Sequence, residues 1–185
     1  GLKMRTPGLG GEVLTKMGGT VVNMPAGEIF TALQTGAIDA TEWIGPYNDL
    51  ALGLHKASKY YYTPGWQEPN VTFELDVNLK AWETLPDDLK AIVRAAARAV
   101  NGDMLDDYNA KNMEAMEQLR EQGVEVRRLP DDVLARLKEV AAEVVDASAN
   151  ADPVAAKVWE QQSAYLKRLY EYAELNEKDI YNIRG

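Results

Sequence analysis

The sequence predicts an α/β fold that passes into a helical C-terminal region. Three observations carry this. In residues 1–80, short β-branched runs alternate with short helical segments, the pattern of parallel strands joined by crossover helices. From residue 81 onward, apolar residues recur at helical spacing over long stretches. The 185 residues are 46% hydrophobic and 26% charged, ordinary for a packed domain and too apolar for wholesale disorder.

Residues 2–6 read as a short strand, closed by Pro7-Gly8 and Gly10-Gly11. Residues 12–17 read as a helix that Gly18-Gly19 stops. Residues 20–23 (Thr-Val-Val-Asn) suit a buried parallel strand. A helix over 28–34 ends at Gly36, and 37–42 read as a further strand. Pro46 opens a helix over 46–56, since its missing N–H is unneeded at the first helical position. Residues 59–63 are β-rich, and 71–77 alternate, with Val71, Phe73, Leu75 and Val77 on one face. Residues 87–122 form a long helical run in which Leu89, Ile92, Val93, Ala96, Ala97 and Val100 make one stripe. Asn101-Gly102 is a place for a break or bend, and Gly123 ends the run. Residues 124–128 are a strand candidate. Pro130-Asp131-Asp132 then begins a helix with Val133, Leu137, Val140, Val144 and Val145 on one side. Asp152-Pro153 pairs an N-cap with proline at the first helical position, opening a helix to about residue 173. Its wide aromatic stripe, including Trp159, Tyr165, Tyr170 and Tyr172, calls for a covering surface, either the body of the chain or a second subunit.

The bulk numbers narrow the chemistry. A net charge of −9 repels phosphate backbones and anionic lipid, so nucleic acid is not an expected partner. An acidic protein that holds a small anion must gather positive charge locally, which directs attention to arginines near strand ends. With no cysteine there is no disulfide, thiolate metal site or cysteine nucleophile. The single histidine, His55, leaves no basis for a multi-histidine metal centre or a catalytic triad. No run approaches 18 consecutive apolar residues, so no transmembrane helix is expected. The chain opens on a strand with no signal peptide, and residues are expected to be missing before Gly1.

Three clusters can carry chemistry. Arg5 stands at a strand end before a Pro-Gly turn, where its planar fork can hold a carboxylate with two parallel hydrogen bonds; the alternative is a surface arginine in a weak ion pair. Glu42 and Trp43 stand side by side before a helix start. Glu42 can ligate a hard cation and Trp43 can lend its carbonyl, or the two are a solvent-facing glutamate beside a core tryptophan. In the rigid loop Pro64-Gly65-Trp66-Gln67-Glu68-Pro69, Glu68 can complete an oxygen-rich site, with Gln67 a competing candidate of the same reach; the alternative is a structural turn. Gly8-Leu9-Gly10-Gly11 lacks the spacing and lysine of a P-loop.

These segments resemble the solute receptors of TRAP transporters, most closely the branch that binds 2-oxo acids and related small monocarboxylates. The resemblance runs through Gly1-Leu2-Lys3-Met4-Arg5, Gly18-Gly19-Thr20 and the specific run Glu28-Ile29-Phe30-Thr31-Ala32-Leu33-Gln34-Thr35-Gly36-Ala37-Ile38-Asp39. It continues through Glu42-Trp43-Ile44-Gly45-Pro46 and Gly65-Trp66-Gln67-Glu68-Pro69, and it covers essentially the whole chain. The Glu-Trp pair points to the 2-oxo acid branch.

The resemblance implies a periplasmic-binding-protein-like (type II) lobe with a mixed sheet, long bracing helices and a helical C-terminal region. Residues 1–80 would form the α/β lobe with cleft segments and hinge strands, and 81–185 the bracing and dimerisation region, the N-terminal lobe being absent. It implies that Arg5 pairs with the ligand carboxylate, that Glu42 and Trp43 border a sodium or calcium ion shared with the ligand, and that Glu68 is a further contact. The implied function is non-enzymatic: a periplasmic receptor that delivers a pyruvate- or lactate-like acid to the membrane permease, as a homodimer through its C-terminal helices. A cation-dependent enzyme acting on an oxo acid and a ligand-free helical assembly module are the alternatives.

Overall fold

The computed structural model describes residues 1–68 and 74–184. Two compact units are present, Gly1–Leu137 and Lys138–Gly185.

In the first unit, β1 (Lys3–Arg5) lies between β2 (Thr20–Val22) and β3 (Ala40–Thr41) in a three-stranded sheet of order β2-β1-β3. Both pairings are parallel, with Arg5 beside Val22 on one side and Thr41 on the other. The connections are α1 (Gly8–Lys16) and α2 (Ala26–Thr35), as strand–helix alternation requires. Their inner faces supply much of the buried core: Val13, Leu14, Ile29 and Ala32, with Ile38 on the approach to β3. A second sheet pairs β4 (Tyr60–Thr63) with β5 (Glu125–Arg128), again parallel. Among the described residues every strand pairing is therefore parallel, where a mixed sheet is expected.

Several elements differ from expectation. Helix α1 begins at Gly8, so Gly8-Leu9-Gly10-Gly11 is its first turn and not a strand-closing loop. Gly11 serves close approach there: a Cβ would lie 2.8 Å from the Thr6 carbonyl oxygen and 3.3 Å from Val21 Cγ1. The helix expected over 46–56 splits into α3 (Pro46–Ala51) and a 3-10 turn (Leu54–Lys56), because Gly53 takes a left-handed φ of 71° between them. Of the strand expected over 71–77, residues 74–77 have no regular structure, with Leu75 and Val77 exposed; the rest lies outside the described residues. Helix α4 (Leu79–Thr84), capped by the Asn78 side chain accepting from Ala81 N, is not anticipated.

Helix α5 (Asp87–Glu121) runs unbroken for 35 residues, so Asn101-Gly102 does not interrupt it. A helical glycine costs about 1 kcal/mol relative to alanine, which neighbouring turns absorb. The stripe at Leu89, Ile92 and Val100 is exposed, while burial falls at Ala115 and Leu119, toward the end of α5 that packs on α3. Helix α6 (Asp131–Ala149) buries Leu137, Val140 and Val144, the expected face.

In the second unit, α7 (Pro153–Leu175) starts where Asp152 Oδ1 accepts from Val154 N at 2.8 Å and Ala155 N at 3.0 Å. A further helix, α8 (Glu177–Arg184), packs on α7. Val154, Val158, Tyr165, Leu169, Tyr170 and Tyr172 are exposed. No described helix is long and apolar enough to cross a membrane.

Candidate functional site

From β1 the chain crosses to β2 on one side, then returns past β1 to β3 on the other. The strand order reverses between β1 and β3, and in open parallel sheets that reversal opens a crevice beyond the carboxyl ends of the strands. Arg5 is the last residue of β1, and Glu42 directly follows β3. The ladder itself aligns them, since Glu42 N donates to the Arg5 carbonyl oxygen at 3.1 Å.

Their side chains meet. Arg5 Nη1 lies 2.5 Å from Glu42 Oε1 and donates to the Glu42 carbonyl oxygen at 3.3 Å. Both side chains are largely shielded, 13% and 7% exposed, so this is not the weak surface pair considered above. The guanidinium carbon also stands 5.3 Å from the centre of the Trp43 ring, within cation–π range. Burial holds the Glu42 carboxyl above the ordinary carboxylate range; Arg5 opposes this, and the negative charges of Glu68 and Asp49 add to the rise.

Glu68 is exposed, and it joins the site through its electrostatic effect on Glu42. Gln67 borders the first turn of α1 beside Thr6: a Cβ on Gly10 would lie 3.1 Å from Gln67 Cβ and 3.2 Å from Thr6 Oγ1. The loop that carries both residues follows a cis Thr63–Pro64 bond. At the ends of β1 and β2, an open groove of about 500 Å³ is lined by Arg5, Pro7, Gly8, Asn23, Met24 and Pro25. Asn23 and Met24 do not stand out in the sequence, although their place directly after β2 at the carboxyl edge is a signal that points to them.

Helix α3 secures the other flank. Tyr47 N donates to Asn112 Oδ1 of α5 at 3.0 Å, and the Tyr47 and Tyr108 rings meet edge to face at 6.0 Å. Asp49, 8% exposed, accepts a 2.6 Å hydrogen bond from the Tyr61 hydroxyl of β4. Burial raises the Asp49 carboxyl to about 6, against the pull of Tyr61 and of the Gly45 and Ile44 backbone amides; burial likewise raises Tyr61.

Among the described residues no group of three or more histidine, cysteine, aspartate or glutamate side chains gathers to hold an ion. The corner nevertheless offers part of the donor set of a hard-cation site, since the carboxylate and the carbonyl oxygen of Glu42 both lie beside Arg5.

An open parallel lobe with a shielded arginine–carboxylate corner at its strand-order reversal belongs to the binding-protein type of α/β architecture, and known proteins agree. A monocarboxylate 2-oxoacid-binding periplasmic protein of Nostoc is 40% identical over 182 residues, 98% of this chain and 50% of the relative. A TRAP periplasmic solute-binding protein of Colwellia psychrerythraea, solved with calcium and pyruvate, matches with TM-score 0.93 and 35% identity over 98% of this chain and 56% of its own. A TRAP solute-binding protein of Bordetella bronchiseptica, a dimer with calcium and picolinate in one active site, matches with TM-score 0.90 and 33% identity over 99% and 55%. The bacterial extracellular solute-binding proteins of family 7 match residues 1–152, and the chain belongs to that family. It spans about half the length of these relatives.

Proposed function

We propose that the protein carrying this chain is a periplasmic receptor that captures a small 2-oxo or 2-hydroxy monocarboxylate together with a cation and delivers it to a TRAP membrane permease. The observation that carries this reading is the shielded Arg5–Glu42 pair at the strand-order reversal. The hydrogen bonds described for Arg5 use Nη1, and a planar guanidinium has further donors for a ligand carboxylate.

Charge balance makes the cation part of the same proposal. Arg5 and Glu42 together are neutral, so an organic acid added alone leaves the corner with one uncompensated negative charge. The side chain of Glu42, the carbonyl of Trp43 and the side chain of Glu68 would contribute oxygen donors to a sodium or calcium ion, with further donors from residues outside this chain. When bound, the ion would supply the positive charge that the Glu42 corner lacks. Ligand and cation should therefore bind as a linked pair, each raising the affinity for the other. The Nostoc relative named for 2-oxoacids and the Colwellia protein solved with calcium and pyruvate support this choice of cargo.

Residues 1–80 would supply one wall of the cleft and 81–185 the bracing helices, with a second lobe closing over the ligand because the closed state binds it better. The exposed apolar and aromatic side chains of α7 favour a homodimer through the C-terminal helices, in keeping with the dimeric Bordetella relative.

Calorimetric titration of the full-length protein with pyruvate and calcium tests the reading. Arg5→Ala is expected to weaken pyruvate binding by roughly a hundredfold or more. Unchanged affinity removes Arg5 from the site. NMR of pyruvate incubated with protein and calcium is expected to show no product, and turnover would favour an oxo-acid enzyme instead.

A further inference from the structure

Strand β3 brings Glu42 to the corner on very little pairing. It is two residues long and lies at the edge of its sheet, so among the described residues β1 alone pairs with it. Yet its register decides the corner. Arg5 stands opposite Thr41, and Glu42 follows directly. Side chains alternate along a strand, so a slip of one residue would turn Glu42 away from Arg5 and bring a neighbour in its place. A ladder of two residues resists such a slip weakly, and the register calls for a further determinant.

Asp39, directly before β3, meets Lys3 of β1 twice. Its N–H donates to the Lys3 carbonyl oxygen at 2.8 Å, and its Oδ2 accepts from Lys3 N, also at 2.8 Å. The first bond is main chain to main chain and is open to any residue at this place except proline. The second needs a short side chain that carries an acceptor. If β3 slid by one residue either way, Ile38 or Ala40 would come opposite Lys3, and neither side chain can accept a hydrogen bond. The bond from Lys3 N is thus made in one register and lost in both of its neighbours. At the far end of the strand, Glu42 N donates to the Arg5 carbonyl oxygen at 3.1 Å. Ile38, 1% exposed, donates from its N–H to the Ala32 carbonyl oxygen at 3.3 Å, which refers the chain to α2, whereas Asp39 refers it to β1. Asp39 is exposed, and one hydrogen bond at the surface adds modestly to stability, so its worth lies in the pairing that it selects.

We infer that Asp39 is a positioning residue, the pin that sets the register of β3 on β1 and thereby places Glu42, with Trp43 behind it, against Arg5. The inference deepens the receptor reading and rests on it for its effect on binding, so a readout without ligand stands beside the titration.

The test uses the full-length protein with Asp39→Ala, which removes the acceptor, and Asp39→Asn, which keeps one. Amide hydrogen exchange followed by NMR without ligand reads both ends of the strand, and titration with pyruvate and calcium reads the corner. In Asp39→Ala the Lys3 amide is expected to exchange roughly tenfold faster, and the Glu42 amide, whose acceptor on Arg5 is unaltered, to exchange faster with it. Pyruvate binding should weaken roughly tenfold. Asp39→Asn is expected to restore the protection of Glu42 and most of the affinity. A folded Asp39→Ala protein in which only the Lys3 amide changes overturns the inference, since the side chain would then cap one exposed amide while Ile38 sets the register. Asparagine as damaging as alanine overturns it too, because charge and not the hydrogen bond would be at work. Should Asp39→Ala fail to fold, Asp39→Ser stands in with the same expectations, its hydroxyl one atom too short to reach Lys3 N in the same way. A Lys3 amide that exchanges at the rate of a free amide in the unsubstituted protein overturns the inference outright. If the unsubstituted protein binds no pyruvate, the receptor reading falls, while the exchange rates still decide whether Asp39 sets the register.

Discussion

Replacing Asp49 with asparagine and following stability across pH would isolate the cost of burying that carboxylate. Asp49 titrates near pH 6 in the folded chain, against 3.8 for an ordinary aspartate, and at 8% exposure solvent screens it little. Below pH 3.8 the carboxyl is protonated in both folded and unfolded chains. Between 3.8 and about 6 the unfolded chain has released this proton while the folded chain retains it, so stability falls as pH rises. Above about 6 both forms are ionised and the difference levels off. The full excursion corresponds to about 3 kcal/mol. Denaturant unfolding of wild type and Asp49→Asn at a series of pH values should therefore show wild type losing about that much relative to the variant across the window. Tyr61→Phe removes a hydrogen bond that favours the ionised form, and it should move the upper edge of the window higher. A difference between wild type and Asp49→Asn that stays flat from acid to neutral pH refutes the reasoning, since it would mean that the carboxylate is solvated in the folded protein.

Two further substitutions test how individual elements are held. Asp152→Ala removes the side chain that caps α7 through Val154 N and Ala155 N, and it should cost about 1 kcal/mol, read from a thermal melt as a lower Tm. Gly11→Ala sets a methyl group 2.8 Å from the Thr6 carbonyl oxygen, where backbone must shift, and urea unfolding should show a loss of about 1–3 kcal/mol.

The local grammar of the chain was readable wherever backbone chemistry decided the outcome. The β-branched Thr20-Val21-Val22 run, the stop at Gly36 and the Asp152-Pro153 start all follow from propensities that act within a few residues. Arg5, Glu42 and Trp43 could be named in advance because their segments resemble a known family, and the fold brings the three together. Glu68 reaches Glu42 through its charge, whereas Gln67 borders Gly10 in the first turn of α1. The Asp49–Tyr61 pair was not legible: 12 residues separate the two, and they meet because β4 pairs with β5 and α3 packs on α5. The run Gly8-Leu9-Gly10-Gly11 was misread as a loop because glycine signals a turn in isolation, while here it lets a helix sit close to a strand. The stripe at Leu89, Ile92 and Val100 shows the reverse case, an apolar periodicity that was correctly seen yet lies uncovered in this chain.

Arg5 occupies the middle strand of its sheet, and this bears on how firmly a cargo could be gripped. An edge strand can peel away after losing one row of hydrogen bonds, but β1 is stitched along both flanks, and its last carbonyl is tied to the amide of Glu42. A load on the guanidinium is thus shared by both neighbouring strands at once. Local breathing that frees either outer strand still leaves the charge anchored, so release of the cargo would have to come from parting the walls of the cleft and not from loosening of its floor.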